Sequence, residues 1–322
     1  MPISVRTLAA LALSTCLGIT CACAQDLTRK PIRVIIGFGA GSGTDVSTRV
    51  LTNRIAEATP LKFVIDNRPG AEGFIAAQEA ARAPADGYTI YVAGNTTHAA
   101  NPNLFKSIPY DPQRDYTPVT RLAMAPLVLV VSPRLEAKNL AELTEHARRN
   151  PGKVSFATGS ASHRGAAELY KLAAKLSLVH VPYKSSPQAL NDIAGGHVDF
   201  MFADTGVVMP YVRGGRVRAL ALTSLQRVDA APDLPTMAES GYPGFEMTGW
   251  TGLFLPRGAP DDVVRALNRV FSDATRTDAA REFAKNSGAY YAPGTPEELA
   301  AWVKSEIEKW ALIVKLAGIQ PE

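Results

Sequence analysis

The sequence predicts an α/β protein of two lobes joined by two chain crossings, a clamshell with a ligand cleft between them. Three observations carry that prediction. Short apolar, β-prone runs alternate with stretches of helical periodicity through most of the 322 residues, as in strands covered by helices. Two proline-rich stretches without periodicity, 101–122 and 231–250, interrupt the alternation. Two loops rich in glycine and hydroxyl side chains, 39–44 and 158–163, each leave a strand and enter a helix. The expected division is a leader over 1–24, a first lobe from 25–121 together with 246–322, and a second lobe over 122–245.

The leader is read from its layout. Arg6 supplies a positive start, 8–19 is an apolar run too short to cross a bilayer as a helix, and Ala22-Cys23-Ala24 is a small-x-small cleavage site before Gln25. Cys16, Cys21 and Cys23 all fall inside it, so the mature chain is expected to carry no disulfide and to rest on core burial. A periplasmic, soluble product follows from this reading.

The elements follow in order. Residues 32–36 read as a strand, and Val46, Val50, Leu51 and Ile55 mark one face of the next helix. Strand 63–65, the turn Asn67-Arg68-Pro69-Gly70, an alanine-rich helix to Ala83 and strand 88–93 continue the pattern. Such alternation points to a parallel sheet covered on both faces. After the first connector, 127–131 is a continuous apolar strand. Asn139 caps a helix with Glu142 as its capping-box partner, and Asn150-Pro151-Gly152 stops it. Strand 154–157 leads through "TGSASHRG" into a helix lined by Ala166, Leu169, Tyr170 and Ala173, and "VHVPY", "VDFMFAD" and "VRALALTS" supply three more strands. The last part is helical. Asp261 opens one helix, and Thr295-Pro296-x-Glu298 opens another, with an N-cap, a proline at the first position and a capping glutamate. Its stripe of Leu299, Trp302, Val303, Ile307, Trp310, Ile313 and Val314 is expected to pack on the body of the protein, and Gly318 to end it.

The net charge of +4 is spread along the chain. No basic stripe with interleaved aromatics is present, so nucleic acid is not an expected partner. The five histidines are widely spaced, none pairing with another at i, i+4, and no metal or other cofactor is expected.

Glycines 37, 39, 41 and 43 raise the question of a nucleotide cradle. The dinucleotide fingerprint fails, because its third glycine falls on Ser42 or Thr44, and no lysine supplies a Walker A motif. What remains is a helix N-terminus whose amides a ligand can approach closely, since glycine has no Cβ. Gly39, Ala40, Gly41, Ser42, Gly43 and Thr44 are the expected contacts and a carboxylate the natural guest; a tight turn binding nothing is the alternative. Thr158, Gly159 and Ser160, with His163, repeat the design, and two such loops on opposite lobes can pinch one anion. Asp45 is expected to brace loop amides. Asp204, at the end of a strand, either accepts from an amine or hydroxyl of the solute or caps the helix from Thr205. A second class of function is an exported α/β hydrolase using Ser160 or Ser162. It lacks a G-x-S-x-G elbow, and His163 sits beside the serine in sequence at a helix start that disfavours its protonation, so it reads as a neutral bracing residue.

The order of motifs then resembles a known family. "KPIRVIIGFGAGSGTD", "NRPGAEGFIAAQEAARAPADGYTI", "NPNLF" with "IPYDPQRDYTPV", "HVPYK", "GGHVDFMFAD", "PDLPTMAESGYPGFE" and "GTPEEL" together resemble the Bug-type extracytoplasmic solute receptors of the tripartite tricarboxylate transporter system, over nearly the whole mature chain. The resemblance implies a type II periplasmic-binding-protein fold. It also implies a small carboxylate held between the loops by amides, hydroxyls and water, a monomeric receptor without catalytic activity, and membrane permease subunits as partners. A receptor feeding a sensory kinase is the variant of this reading. The chain departs from the family pattern at Gly41-Ser42, where Gly-Gly is usual, and at Ser185, where glycine is usual.

Overall fold

Strand–helix alternation holds from the first element of the computed structural model, which describes residues 26–322. The expected leader and its three cysteines lie outside the described residues. The buried strand β1 (Ile32–Ile36) leads into α1 (Gly43–Ala58). β2 (Phe63–Asn67), α2 (Phe74–Arg82) and β3 (Thr89–Gly94) complete a parallel unit in which β1 lies between β2 and β3. A π turn over Thr96–Ala100 and the short α3 (Asn101–Leu104) follow, then β4 (Tyr116–Val131) and α4 (Leu140–Arg149). β5 (Ser155–Thr158), α5 (Ala161–Ala174), β6 (Val179–Pro182), α6 (Ser186–Gly195), β7 (Phe200–Asp204), α7 (Thr205–Arg213) and β8 (Arg218–Leu222) form the middle of the chain. β9 (Thr248–Pro256), α8 (Asp261–Thr275), α9 (Asp278–Ser287), β10 (Tyr290–Tyr291) and α10 (Pro296–Ala317) close it.

The sheet is mixed, not parallel throughout as the alternation suggests. Its order is β2-β1-β3-β9-β4-β7-β5-β6, with β8 and β10 also pairing with β4. β5 pairs in parallel with β6 and β7, but β9 runs antiparallel to both β3 and β4. The end of the expected connector at 101–122, from Tyr116 on, is in fact the start of β4. That strand pairs with β9 from Tyr116 to Pro126 and then, over 127–131, with β7 on one side and β8 on the other. Prolines obscured it in the sequence, since proline donates no ladder bond and demotes a strand pattern. The ladder accommodates Pro118 at a register shift, and Pro126 stands where β4 changes partners. β9 starts at Thr248, in the last residues of the second connector, and runs past it; Gly249, Gly252 and Pro256 obscured it in the same way.

The core explains why these elements hold. Tyr91, Tyr170, Phe156, Phe200, Phe202, Phe254 and Trp310 are fully buried in one cluster that β4 crosses with Leu127, Leu129 and Val131. Each such side chain contributes about 1.5–3 kcal/mol of burial. The stripe of α10 packs inward as expected, with Leu299, Val303, Trp310 and Ile313 buried, and its Thr295–Glu298 capping box is formed. Trp310 lies against Gly165 of α5, where a Cβ would come within 2.9 Å of the indole.

Candidate ligand-binding site

The β1–α1 loop is held by its own acid. Gly41 has φ +79°, a left-handed conformation that favours glycine. Its N–H donates to Asp45 Oδ2 at 2.9 Å. Asp45 also accepts from Arg49 Nε at 3.0 Å and Asn67 Nδ2 at 3.1 Å, and the Asn67 amide donates to the Phe38 carbonyl as well. Burial alone would raise the Asp45 carboxyl; these donors, Arg49 foremost, outweigh it and hold the group below the usual range. Ser42 is the N-cap of α1, its Oγ accepting from the Asp45 N–H at 3.3 Å. Gly43 and Thr44 then open the helix, where N–H groups lack an intrahelical partner.

The β5–α5 loop is held from inside. Gly159 presses on the start of α6, where a Cβ would fall 2.6 Å from the Ser186 nitrogen. Its N–H donates to His163 Nδ1 at 3.1 Å. On the other side of the ring Nε2 lies 3.3 Å from Asp204 Oδ2. With both ring nitrogens engaged and the ring fully buried, His163 has no atom left to take a proton from Ser160 or Ser162. The serine-hydrolase alternative thus lacks its base. Ser160 occupies the N-cap of α5 without a side-chain capping bond.

Asp204 connects the two loops. It stands at the N-cap of α7, yet its side chain makes no capping bond. Instead Oδ2 faces His163 Nε2 and the Ser186 hydroxyl, the latter at 3.4 Å. Burial would raise this carboxyl, but His163 and Ser186 outweigh burial and keep it below the usual range, so it is ionised at neutral pH. A Cβ on Gly43 would lie 3.2 Å from Asp204 Cγ, so the starts of α1 and α7 meet across this point.

A cavity of about 350 Å³ opens here, within the usual size of a small-molecule site. Of the sequence-predicted contacts, Gly41, Ser42, Gly43, Thr44, Gly159, Ser160 and Asp204 line it. Gly39, Ala40, Thr158 and His163 are not among the lining residues. Gly39 faces Ser185, and Ala40 is exposed. The Thr158 hydroxyl is 2.7 Å from His180 Nε2, whose ring burial pushes down to about 4. Residues far apart in the chain complete the lining, among them Phe38, Asn95, Ser186, Val207, Trp250 and Phe283. Of these, Ser186 had a local signal, the Ser-Pro pair that opens α6.

Beneath Asn95 and Trp250 lies a buried carboxylate. Glu306 Oε2 accepts from Trp250 Nε1 at 3.0 Å and Asn95 Nδ2 at 3.2 Å, and Asn95 Oδ1 accepts from Trp310 Nε1 at 2.7 Å. The signal for it in the sequence was an acid inside the apolar stripe of α10, between Val303 and Trp310.

Comparison with known proteins places this geometry. Residues 47–319 match the model of the tripartite tricarboxylate transporter family receptor. The chain is 36% identical over 314 residues to a protein encoded in the tcbD-tcbE intergenic region of Pseudomonas sp. strain P51, covering 96% of this chain and 93% of that one. R. palustris Rpa4515, solved with adipate, superposes with a TM-score of 0.90 at 32% identity, over 92% of this chain and 100% of that one. MatC (Rpa3494) from Rhodopseudomonas palustris, with bound malate, gives 0.82 at 31% identity, over 88% and 98%. The fold is the type II periplasmic-binding-protein fold of these receptors.

Proposed function

Because this chain belongs to the tripartite tricarboxylate transporter family of receptors, we propose that it captures a small carboxylate in the cavity between its β1–α1 and β5–α5 loops and delivers it to membrane permease subunits. The observation that carries the reading is the convergence of two helix N-termini, those of α1 and α5, on a cavity that, among the described residues, no lysine, arginine or histidine lines. An anion there is held by oriented amides and hydroxyls, with about half a positive charge at each helix start. Relatives solved with adipate and with malate support the choice of a carboxylate. The leader read in residues 1–24 supports export, and the likeness to periplasmic receptors agrees with it. The passage of β4 and β9 between the two parts of the sheet supports a division into two lobes that close on the solute.

A thermal-shift screen of mono- and dicarboxylates tests the reading. A ligand at 100-fold excess over its Kd adds about 2.7 kcal/mol of stability. Stabilisation by a carboxylate without its turnover is the expected result. A clear shift with a sugar and none with any carboxylate overturns it.

A further inference from the structure

The lining of the cavity carries more than an anion grip. Asp204 is its one charged side chain among the described residues. Both of its side-chain partners, His163 and Ser186, meet Oδ2. The other oxygen is directed toward Gly249, 3.8 Å from where a Cβ on that residue would stand, and Gly249 itself lines the cavity. Phe38, Val46, Val207, Trp250 and Phe283 give the same space broad apolar and aromatic surfaces.

We propose that the solute is an aromatic monocarboxylate bearing a hydrogen-bond donor, a hydroxyl or an amine, which meets Asp204, and that the site rejects a second ionised carboxylate. The inference rests on the carboxylate reading above and narrows it. The single carboxylate takes the helix amides, the ring takes the apolar surfaces, and the donor takes the remaining acceptor capacity of Asp204. A second carboxylate entering this cavity finds no cation to neutralise it, and one fixed negative charge already inside. Like charges in a partly dehydrated space repel far more than in water. A volume of about 350 Å³ has room for a substituted benzene ring with several waters, each needing about 30 Å³.

The test is calorimetric titration of the purified protein with matched pairs: 3- and 4-hydroxybenzoate against isophthalate and terephthalate, which exchange the donor for a carboxylate at the same ring position, and against 3- and 4-methylbenzoate, which remove it. Adipate and malate complete the panel. The expected result is that one hydroxybenzoate binds at least tenfold tighter than its matched dicarboxylate and at least fivefold tighter than its methyl analogue. Asp204→Asn, checked by thermal melting for folding, is expected to reduce the first ratio below threefold. If the variant does not fold, the wild-type ratios alone decide. Equal or tighter binding of the dicarboxylates, or of the methyl compounds, overturns the inference while leaving the carboxylate receptor standing. An unchanged ratio in folded Asp204→Asn overturns the role given to Asp204. Failure of every carboxylate in the panel to bind overturns the receptor reading itself.

Discussion

Replacing Glu306 tests whether the floor of the cavity is held by hydrogen bonding or by charge. Both cavity-side donors, Asn95 Nδ2 and Trp250 Nε1, meet the same oxygen, Oε2, while Oε1 accepts from the half-exposed Lys309 ammonium at 3.4 Å. Glu306→Gln can place its carbonyl oxygen where Oε2 stands and keep both bonds. It loses the charge assistance, and regains part of the desolvation that burying a carboxylate entails, so a net loss of about 1 kcal/mol or less is expected. Glu306→Leu leaves two buried donors unsatisfied at about 1–3 kcal/mol each, offset by the absent charge, for a net loss of about 2–4 kcal/mol. At about 1.5–2 °C per kcal/mol for a chain of this size, the two variants should melt several degrees apart. Urea and thermal unfolding followed by tryptophan fluorescence suit the test, because two of the three tryptophans, Trp250 and Trp310, belong to the network. Equal destabilisation by Gln and Leu would refute the hydrogen-bonding account in favour of charge. A loss below about 1 kcal/mol for Leu would refute the network's structural role altogether.

Three further outcomes follow from the same geometry. Gly41→Val, at φ +79° with open space around its Cβ, should fold yet weaken the carboxylate that gives the largest thermal shift by at least tenfold, about 1.4 kcal/mol, whereas Gly41→Asn, which tolerates a left-handed backbone, should retain most of it; titration of both variants checks this. Gly159→Ala should destabilise by more than about 1 kcal/mol even without ligand, because its Cβ meets the backbone of Ser186 at 2.6 Å; a denaturant melt reads it. His98, buried among Tyr116 and Phe254, is pushed down to about 3 by that burial, so the unfolded chain takes up its proton near its ordinary value and the folded chain does not. Its contribution to stability is full above about pH 6.5 and falls toward pH 3, reaching a loss of about 2 kcal/mol by about pH 5, and His98→Phe should flatten that part of the pH–stability curve.

Local signals made much of this molecule legible. Ile32–Ile36, the Asn139 and Thr295 caps and the α10 stripe follow from periodicity and capping, which lie within a few residues of one another. The two loops of the candidate site were legible for the same reason, as was the bracing of the first by Asp45, in the first turn of its helix. The part of β4 before Leu127 and all of β9 were not, because their prolines and glycines weaken a strand pattern that only tertiary pairing restores. Trp250, Phe283 and Asn95 were invisible as cavity residues, since nothing near them in sequence says that β9, α9 and the end of β3 converge. The Thr158 hydroxyl misled because a side chain at the end of a strand can turn to either neighbour, and here it turns to His180.

The β4–β9 ribbon has a mechanical consequence. Both passages of the chain between the two parts of the sheet run side by side in one ladder, from Tyr116 opposite Pro256 to Pro126 opposite Thr248. A bonded pair of strands is compliant to bending and twisting but stiff to sliding, because shear must break many ladder bonds at once. Its two register shifts, between Pro118 and Thr120 and between Arg121 and Ala123, are natural creases, since bulges bend a strand and sharpen its twist. A joint of this kind allows rotation and suppresses translation. The β1–α1 and β5–α5 loops, carried on either side of the ribbon, would then come back to the same register after each rotation, so that a single angle describes the state of the joint.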